Sequence, residues 1–319
     1  MNNEKNANVS IVLPVYNEQG NIGRVYNEIS DVMRAGANEY EIIFVDDGST
    51  DDSYLRLSEI QKSDPNVVVV KFRRNFGQTA AMAAGFDTSS GDIIITMDAD
   101  GQNDPRDIPA LLHKVGEGYD LVSGWRHKRQ DKLLLRRIPS MLANRVISFT
   151  TDVNLHDYGC TLKAFRRDVV DNIQLYGEMH RFIPAIASWI GVRIAEVKVN
   201  HRARTSGRSK YGLSRTFRVI LDLITVKFLL SYSSRPLQFF GAFGLLFGGI
   251  GLILSTYLVI ERLFFEVPLA DRPVLLLAVF LMFSGLQIIT VGLLAELQTR
   301  TYHEAQNKPT YVIREILRG

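Results

Sequence analysis

Asp92-Ile-Ile-Ile-Thr-Met-Asp98-Ala-Asp100-Gly-Gln102 is a short β-branched run that ends abruptly in two carboxylates two residues apart. Three isoleucines followed by a threonine, bounded by charges and without polar alternation, predict a buried strand of the kind found in parallel sheets. Carboxylates so placed, just beyond a strand, can converge on a hard divalent cation such as Mg2+ or Mn2+. That ion takes a carboxylate or two and completes its shell with waters and phosphate oxygens.

Upstream, the same grammar repeats. Ser10-Ile-Val-Leu-Pro-Val15, Glu41-Ile-Ile-Phe-Val-Asp46 and Val67-Val-Val-Val-Lys71 are further short apolar runs bounded by turn residues or charges. Between them, Ile22, Val25, Ile29, Val32 and Met33, then Tyr54, Leu55, Leu57 and Ile60, recur at helical spacing. Strands alternating with helices predict an α/β fold with parallel strands and right-handed crossovers, which leave ligands at the carboxyl ends of the strands. Polar residues cluster at those ends. Pro14-Val-Tyr16-Asn-Glu18 follows the first strand, and Asp46-Asp47-Gly-Ser-Thr-Asp-Asp52 closes the second. Both would serve as helix caps; the tight acidic turn at Asp46 and Asp47 is equally suited to accept hydrogen bonds from a ribose or a base edge. Further on, Asn154-Leu-His-Asp157-Tyr-Gly-Cys-Thr-Leu-Lys-Ala-Phe-Arg166 carries an acid that is either a buried structural group or a base or orienting group beside an acceptor.

Composition narrows the classes. The 319 residues carry 37 Lys and Arg against 34 Asp and Glu, a net charge of +3 too small for a nucleic-acid binder, and no basic run is interleaved with aromatics. One cysteine, Cys160, excludes an internal disulfide and a cysteine-based zinc site. Positive charge is local: six of the twelve residues from Arg126 to Arg137 are Lys or Arg, and a second cluster runs from Arg202 through Arg204, Arg208, Lys210 and Arg215 to Arg218. Such clusters suit an anionic headgroup or a diphosphate.

Together, Val12-Leu-Pro-Val-Tyr-Asn-Glu18, Val45-Asp-Asp-Gly-Ser-Thr50, Arg74-Asn-Phe-Gly77, Met97-Asp-Ala-Asp-Gly-Gln102, Asp157-Tyr-Gly-Cys160 and Gly207-Arg-Ser-Lys210 resemble glycosyltransferase family 2, in the branch of the polyprenyl-phosphate sugar transferases. The resemblance covers roughly the first 230 residues. It implies a GT-A nucleotide-sugar-binding domain with a divalent cation on Asp98 and Asp100 and Gln102 as a further ligand. It implies also that the nucleotide lies against Pro14, Tyr16, Glu18, Asp46, Asp47 and Asp98, and that Asp157 and Asp100 act in catalysis. By motif position, Arg126, Arg136, Ser140, Arg204 and Lys210 would grip donor and acceptor phosphates. The reaction implied is inverting transfer of a single sugar, glucose from UDP-glucose, to a polyprenyl (undecaprenyl) phosphate. Formamido-arabinose or mannose are the alternative sugars, and a membrane-anchored sugar-lipid binding protein is the alternative outside enzymes. The Gln-x-x-Arg-Trp motif of processive synthases is absent, the only tryptophans being Trp125 and Trp189.

The mean hydropathy of +0.01 averages two unlike parts. Pro236 to Ile260 and Pro273 to Ala295 hold no charged residue, and each exceeds the roughly 20 residues that cross about 30 Å of hydrocarbon. Gly241, Gly244, Gly248, Gly249 and Gly251 in the first predict close helix contact, within the chain or in a homo-oligomer. The expected organisation is a catalytic domain over 1–212, an amphipathic interfacial segment over 213–234, a two-helix anchor over 235–299 and a C-terminal tail over 300–319. Basic residues before Pro236 and again at Arg300, Lys308, Arg314 and Arg318 place both termini in the cytoplasm. The polar stretch Met1 to Ser10 lacks the apolar core of a secretion signal, as a cytosolic catalytic domain requires.

Overall fold

A computed structural model describes residues 8–36, 38–127, 155–173, 175, 179–188, 190–202, 236–265, 268–269, 272–305 and 311–318. The chain divides into two compact units: the sheet unit, which includes the C-terminal residues 311–318, and a pair of long helices.

In the sheet unit, β1 (Val9–Val15), β2 (Tyr40–Asp46), β3 (Val67–Phe72) and β4 (Ile93–Thr96) are the four predicted strands, each within two residues of its expected bounds. The helices between them are α1 (Ile22–Ala35), α2 (Ser53–Ser63) and α3 (Gln78–Thr88), followed by α4 (Ile108–Gly116), β5 (Leu121–Arg126), β6 (Lys163–Arg166), short α5 (Arg167–Asp171) and α6 (Ile183–Ser188), and β7 (Ile194–Val199). The eight-stranded sheet has the order β7-β5-β6-β4-β1-β2-β3-β8, where β8 is Ile313–Leu317. β1 to β4 are mutually parallel, as alternation required. β6 and β8 run antiparallel to their neighbours, which alternation does not reveal.

Helical spacing reads correctly on α1, where Ile22, Val25, Ile29 and Met33 are buried. On α2, Leu57 is fully buried and Ile60 packs against the core, but Leu55 is 59% exposed. Two residues from Leu57 it lies on the opposite side of the helix, off the apolar stripe. α3 lies directly on β1: a Cβ at Gly85 would collide with the Val12 side chain, so glycine permits that approach. Residues expected as a C-terminal tail instead pair with β3 as strand β8, Glu315 opposite Lys71. Arg314, Glu315 and Arg318 make this a charged edge strand, the composition that blunts a sheet edge against further pairing.

The register aligns Val15 with Asp46 and Val12 with Thr96, so the turns after β1, β2 and β4 open on one rim. Antiparallel β6 starts there with Lys163 opposite Thr96, and β5 ends there at Arg126.

The helix pair consists of α7 (Pro236–Phe265) and α8 (Pro273–Ala305). Phe240–Phe265 and Pro273–Ala295 are long and apolar enough to cross a membrane, and only 17% and 11% of their most apolar windows are buried. A core helix of a soluble protein would hide such a surface. Glycine contact lies within the chain. A Cβ on Gly244 would meet the Gly285 carbonyl and Ile289, and one on Gly251 would meet Ala278 and Met282, whereas nothing crowds Gly241 or Gly249 among the described residues. At the loop end Arg272 pairs with Glu261, which also accepts a 2.6 Å hydrogen bond from Tyr257. The interfacial segment 213–234 lies outside the described residues.

Candidate active site

The first two turns of the rim are sewn to one another. Asn17 has φ 56°, a conformation asparagine tolerates better than most residues. Its backbone N–H donates to Ser49 Oγ at 3.0 Å, and its side-chain oxygen accepts from Thr50 N at 2.8 Å. Glu18 N donates to Ser53 Oγ at 2.9 Å, while the Glu18 carboxylate accepts from Asn21 Nδ2 at 2.6 Å. The segment that carries Pro14, Tyr16 and Glu18 is thus fastened to the turn that carries Asp46.

Asp46 and Asp47 differ sharply in employment. Asp46 is fully buried; one oxygen accepts from Ser49 N at 3.1 Å, and the other has no hydrogen-bond partner among the described residues. Asp47 accepts at both oxygens, from Phe76 N at 2.6 Å and Gly77 N at 3.0 Å, and so holds the Arg74-Asn-Phe-Gly77 loop. Burial pushes both carboxyls above their ordinary range. Gly48, at φ 69°, makes the fit possible, since a Cβ there would lie 2.5 Å from the Arg74 carbonyl carbon.

After β4, the carboxylates of Asp98 and Asp100 share one turn. Asp98 Oδ1 accepts from Gln78 Nε2 at 2.8 Å, and Asp98 N donates to Asn103 Oδ1 at 3.2 Å. Burial, then the nearby Asp100 charge, pushes the Asp98 carboxyl up to about 6. Gln102 N donates to Asp100 Oδ1 at 3.0 Å, and the Gln102 side-chain amide reaches the Arg202 carbonyl at 3.5 Å. No cluster of three or more His, Cys, Asp or Glu that could hold a metal occurs among the described residues. Two mutually repelling carboxylates at a strand end nevertheless fit a divalent cation whose other ligands are waters and phosphate oxygens.

Arg126, at the end of β5, meets Asp157, in the segment that leads into the neighbouring β6. The guanidinium donates through Nε to Asp157 Oδ2 at 2.7 Å and through Nη2 to Oδ1 at 2.9 Å, a bidentate pair 14% and 4% exposed at the side chains. Burial works to lower the Arg126 pKa, but the Asp157 carboxylate outweighs it and holds the guanidinium firmly charged. Both expected roles, phosphate grip for Arg126 and base or orienting group for Asp157, therefore start from an ion pair. Close by, Lys163 is buried, its ammonium donating to the carbonyls of Cys160 and, at 3.4 Å, Tyr158; burial pulls its pKa down.

Arg202 ties the last described part of the second basic cluster to the acidic turn. Its guanidinium reaches Asp104 at 2.7 Å and Glu28 at 2.6 Å, and its backbone N–H donates to the Gln102 carbonyl at 2.9 Å. Burial would raise the Asp104 carboxyl, yet hydrogen bonds from Arg106 and Arg202 hold it at about 2. Arg136, Ser140, Arg204 and Lys210 lie outside the described residues. Gln78 and Lys163 are site residues that the sequence does not mark. Gln78 follows a glycine turn with no motif of its own, and Lys163 opens a four-residue strand that the sequence does not mark.

Residues 10–174 match the family model described as glycosyl transferase family 2. The chain belongs to glycosyltransferase family 2. It is 43% identical over 312 residues to a dodecaprenyl-phosphate galacturonate synthase of Rhizobium johnstonii, covering 97% of this chain and 92% of that one. It is 38% identical over 312 residues to an undecaprenyl-phosphate 4-deoxy-4-formamido-L-arabinose transferase of Klebsiella pneumoniae, covering 97% and 94%. Among solved structures, glucosyl-3-phosphoglycerate synthase of Mycobacterium tuberculosis with Mn2+ and UDP-glucose superposes with a TM-score of 0.54 at 23% identity, over 69% of this chain and 79% of that one. That likeness establishes the GT-A fold of the sheet unit. This family 2 glycosyltransferase thus aligns with its relatives over nearly its whole length, the two apolar helices included.

Proposed function

We propose that this glycosyltransferase moves one sugar from a nucleotide-sugar donor to a polyprenyl phosphate at the cytoplasmic face of a membrane, with inversion. The observation that carries the reading is the alignment of 97% of the chain with enzymes named for sugar transfer to dodecaprenyl and undecaprenyl phosphate, coupled to the acidic rim that such a donor needs. The relatives' names turn the choice of sugar away from glucose, toward a modified pentose such as formamido-arabinose or a uronate such as galacturonate.

The oxygen of buried Asp46 that lacks a hydrogen-bond partner among the described residues would accept from an N–H or O–H of the nucleoside, with Pro14, Tyr16 and Glu18 on the adjoining segment as its further contacts. Asp98 and Asp100, with Gln102 beside them, would hold Mg2+ or Mn2+, which when bound neutralises charge on a diphosphate. Asp157 orients Arg126 toward the acidic turn and keeps it charged. The lipid phosphate, mostly a dianion near neutral pH, attacks the anomeric carbon as the bond to the diphosphate breaks, so no strong base is needed. Arg136, Ser140, Arg204 and Lys210 complete the phosphate contacts.

Strand β8 supports the topology. It follows two candidate spans and pairs with β3, so the chain that leaves the sheet unit before α7 returns to it after α8. An even number of crossings does this, and basic flanks put that side in the cytoplasm.

The test is transfer from labelled UDP-galacturonate, UDP-formamido-arabinose, UDP-glucose and GDP-mannose to undecaprenyl phosphate, in detergent, with and without Mn2+. One of the first two should label the lipid in a metal-dependent way, and an α-linked donor should give a β-linked product. Retention of configuration would sink the single displacement, and labelling by UDP-glucose alone would reverse the choice of sugar.

A further inference from the structure

Asp47, rather than contacting solvent, holds the backbone of Phe76 and Gly77, and the loop it holds walls the acidic turn at Gly48. What fixes that loop from the other side comes from the far end of the chain. Tyr311 is buried and stacks on Phe72, ring centroids 5.2 Å apart and planes 14° apart. Phe72 in turn receives the Phe76 ring edge-on, at 5.6 Å and 87°. The Arg74 guanidinium lies over the Phe76 ring, 4.2 Å from its centroid. The backbone joins in, because Arg73 N donates to the Val312 carbonyl at 3.1 Å just where the β3–β8 register shifts between Lys71 and Phe72. Tyr311 also donates its hydroxyl to Asp87 near the end of α3, and α3 begins with Gln78, the amide bonded to Asp98.

We infer that the C-terminal segment is a positioning element of the donor site: Tyr311, through Phe72 and Phe76, sets the loop on which Asp47 and the Asp46 turn rest. This rests on the reading of that turn as the nucleotide site. The other contacts of the strand serve as contrast. Tyr54 donates to Glu315 at 2.7 Å and Arg318 to the Thr88 carbonyl at 2.8 Å; both hold β8 without touching the loop. The donor site is then finished only when residues 311–318, which follow both apolar helices, have joined the sheet.

The experiment is calorimetric titration of the full-length protein in detergent with UDP at saturating Mn2+, paired with melting curves. Aromatic pairs of this kind set the scale of the effect, about three- to tenfold in affinity. Y311L should weaken UDP–Mn2+ binding by that factor, while Y311F, which keeps the stacked ring, should stay within about twofold. F76L should weaken it similarly, and the double variant should be no weaker than the worse single one, since the two residues act in series. Arg318→Met, which removes only the bond to the Thr88 carbonyl, should lower the melting temperature and leave binding unchanged. A folded Y311L with wild-type affinity, or additive effects of Y311L and F76L, would overturn the inference. If Y311L does not fold, wild-type affinity in F76L overturns it alone. Failure of the unsubstituted protein to bind UDP–Mn2+ would remove the donor-site reading and this one with it, whereas wild-type binding unaffected by the variants removes this one only.

Discussion

Replacing Asp98 with Asn should make the cation-free protein more stable while abolishing transfer. In the native protein, burial and Asp100 push the Asp98 carboxyl up to about 6, against about 3.9 for an exposed aspartate. The native state therefore holds a proton that the unfolded chain has already released. Stability is highest below about pH 4, falls as the pH rises to about 6, and stays reduced above it. At about 1.36 kcal/mol for each tenfold change in proton affinity, a rise from about 4 to about 6 costs the folded state about 3 kcal/mol at neutral pH. Asparagine is neutral and keeps an oxygen for the Gln78 amide now 2.8 Å from Asp98, so most of that cost is relieved and about 1–3 kcal/mol should be regained. At about 2–4 °C per kcal/mol for a unit of this size, the melting temperature rises by about 2–12 °C.

The assay is fluorescence-detected melting in detergent with EDTA, at one scan rate, from pH 5 to 7.5. The parent protein should lose melting temperature across this range and D98N should not. Adding Mn2+ at pH 7.5 should raise the parent and leave D98N nearly unmoved. If D98N melts at or below the parent at pH 7.5 without metal, the carboxylate is not held at an electrostatic cost and a cation site there loses its physical basis.

Three further outcomes are expected. Asp157→Ala strands the Arg126 guanidinium, 14% exposed, without its bidentate partner; the loss should be about 3–5 kcal/mol by denaturant titration, and a loss under about 1 kcal/mol would show that the pair adds nothing. Gly48→Ala adds a Cβ 2.5 Å from the Arg74 backbone at φ 69°, so it should cost at least about 1–2 kcal/mol and raise the KM for donor, whereas an unchanged KM would detach the loop from the nucleotide site. Arg202→Met removes one of two cations that hold Asp104 at about 2. Because a depressed carboxyl stabilises above its ordinary pKa and loses that contribution as the pH falls toward 2, the gap in melting temperature between parent and variant should shrink from pH 5 to pH 3.

The parallel half of the sheet was legible because each of its strands is buried on both faces and written as an unbroken apolar run between turn residues. β6 and β8 hid for opposite reasons. Lys163-Ala-Phe-Arg166 is four residues long and starts with a cation that only its burial against carbonyl oxygens explains, and Ile313-Arg-Glu-Ile-Leu317 has the mixed polarity of an edge. The acidic turns of the site were equally legible as positions, since strand ends concentrate polar residues. Their division of labour was not. Asp46 and Asp47 are adjacent and chemically identical, and only the fold reveals that one keeps a partnerless oxygen while the other holds the Phe76 and Gly77 amides. Leu55 marks the limit on helices: it lies two residues from Leu57, about 200° around the helix, so the two leucines cannot share the core face.

The charge balance of the rim explains why a cation and a separate basic cluster would both be required. Asp98, Asp100 and Asp157 face Arg126 and Lys163, the two basic groups that lower the Asp98 pKa. Neither has positive charge to offer freely: Arg126 is doubly bonded to Asp157, and Lys163 is buried against two carbonyl oxygens. Among the described residues this core of the site is thus slightly anionic, which would repel a diphosphate and a lipid phosphate alike. A divalent ion on Asp98 and Asp100 would reverse that sign for the donor. The acceptor phosphate needs positive charge of its own, and Arg202, fastened to Asp104 and Glu28, anchors the start of the segment that carries Arg204 and Lys210. On the proposed division the acidic turn would select the metal–diphosphate and the basic segment the lipid phosphate, so loss of either should leave binding of the other substrate largely intact.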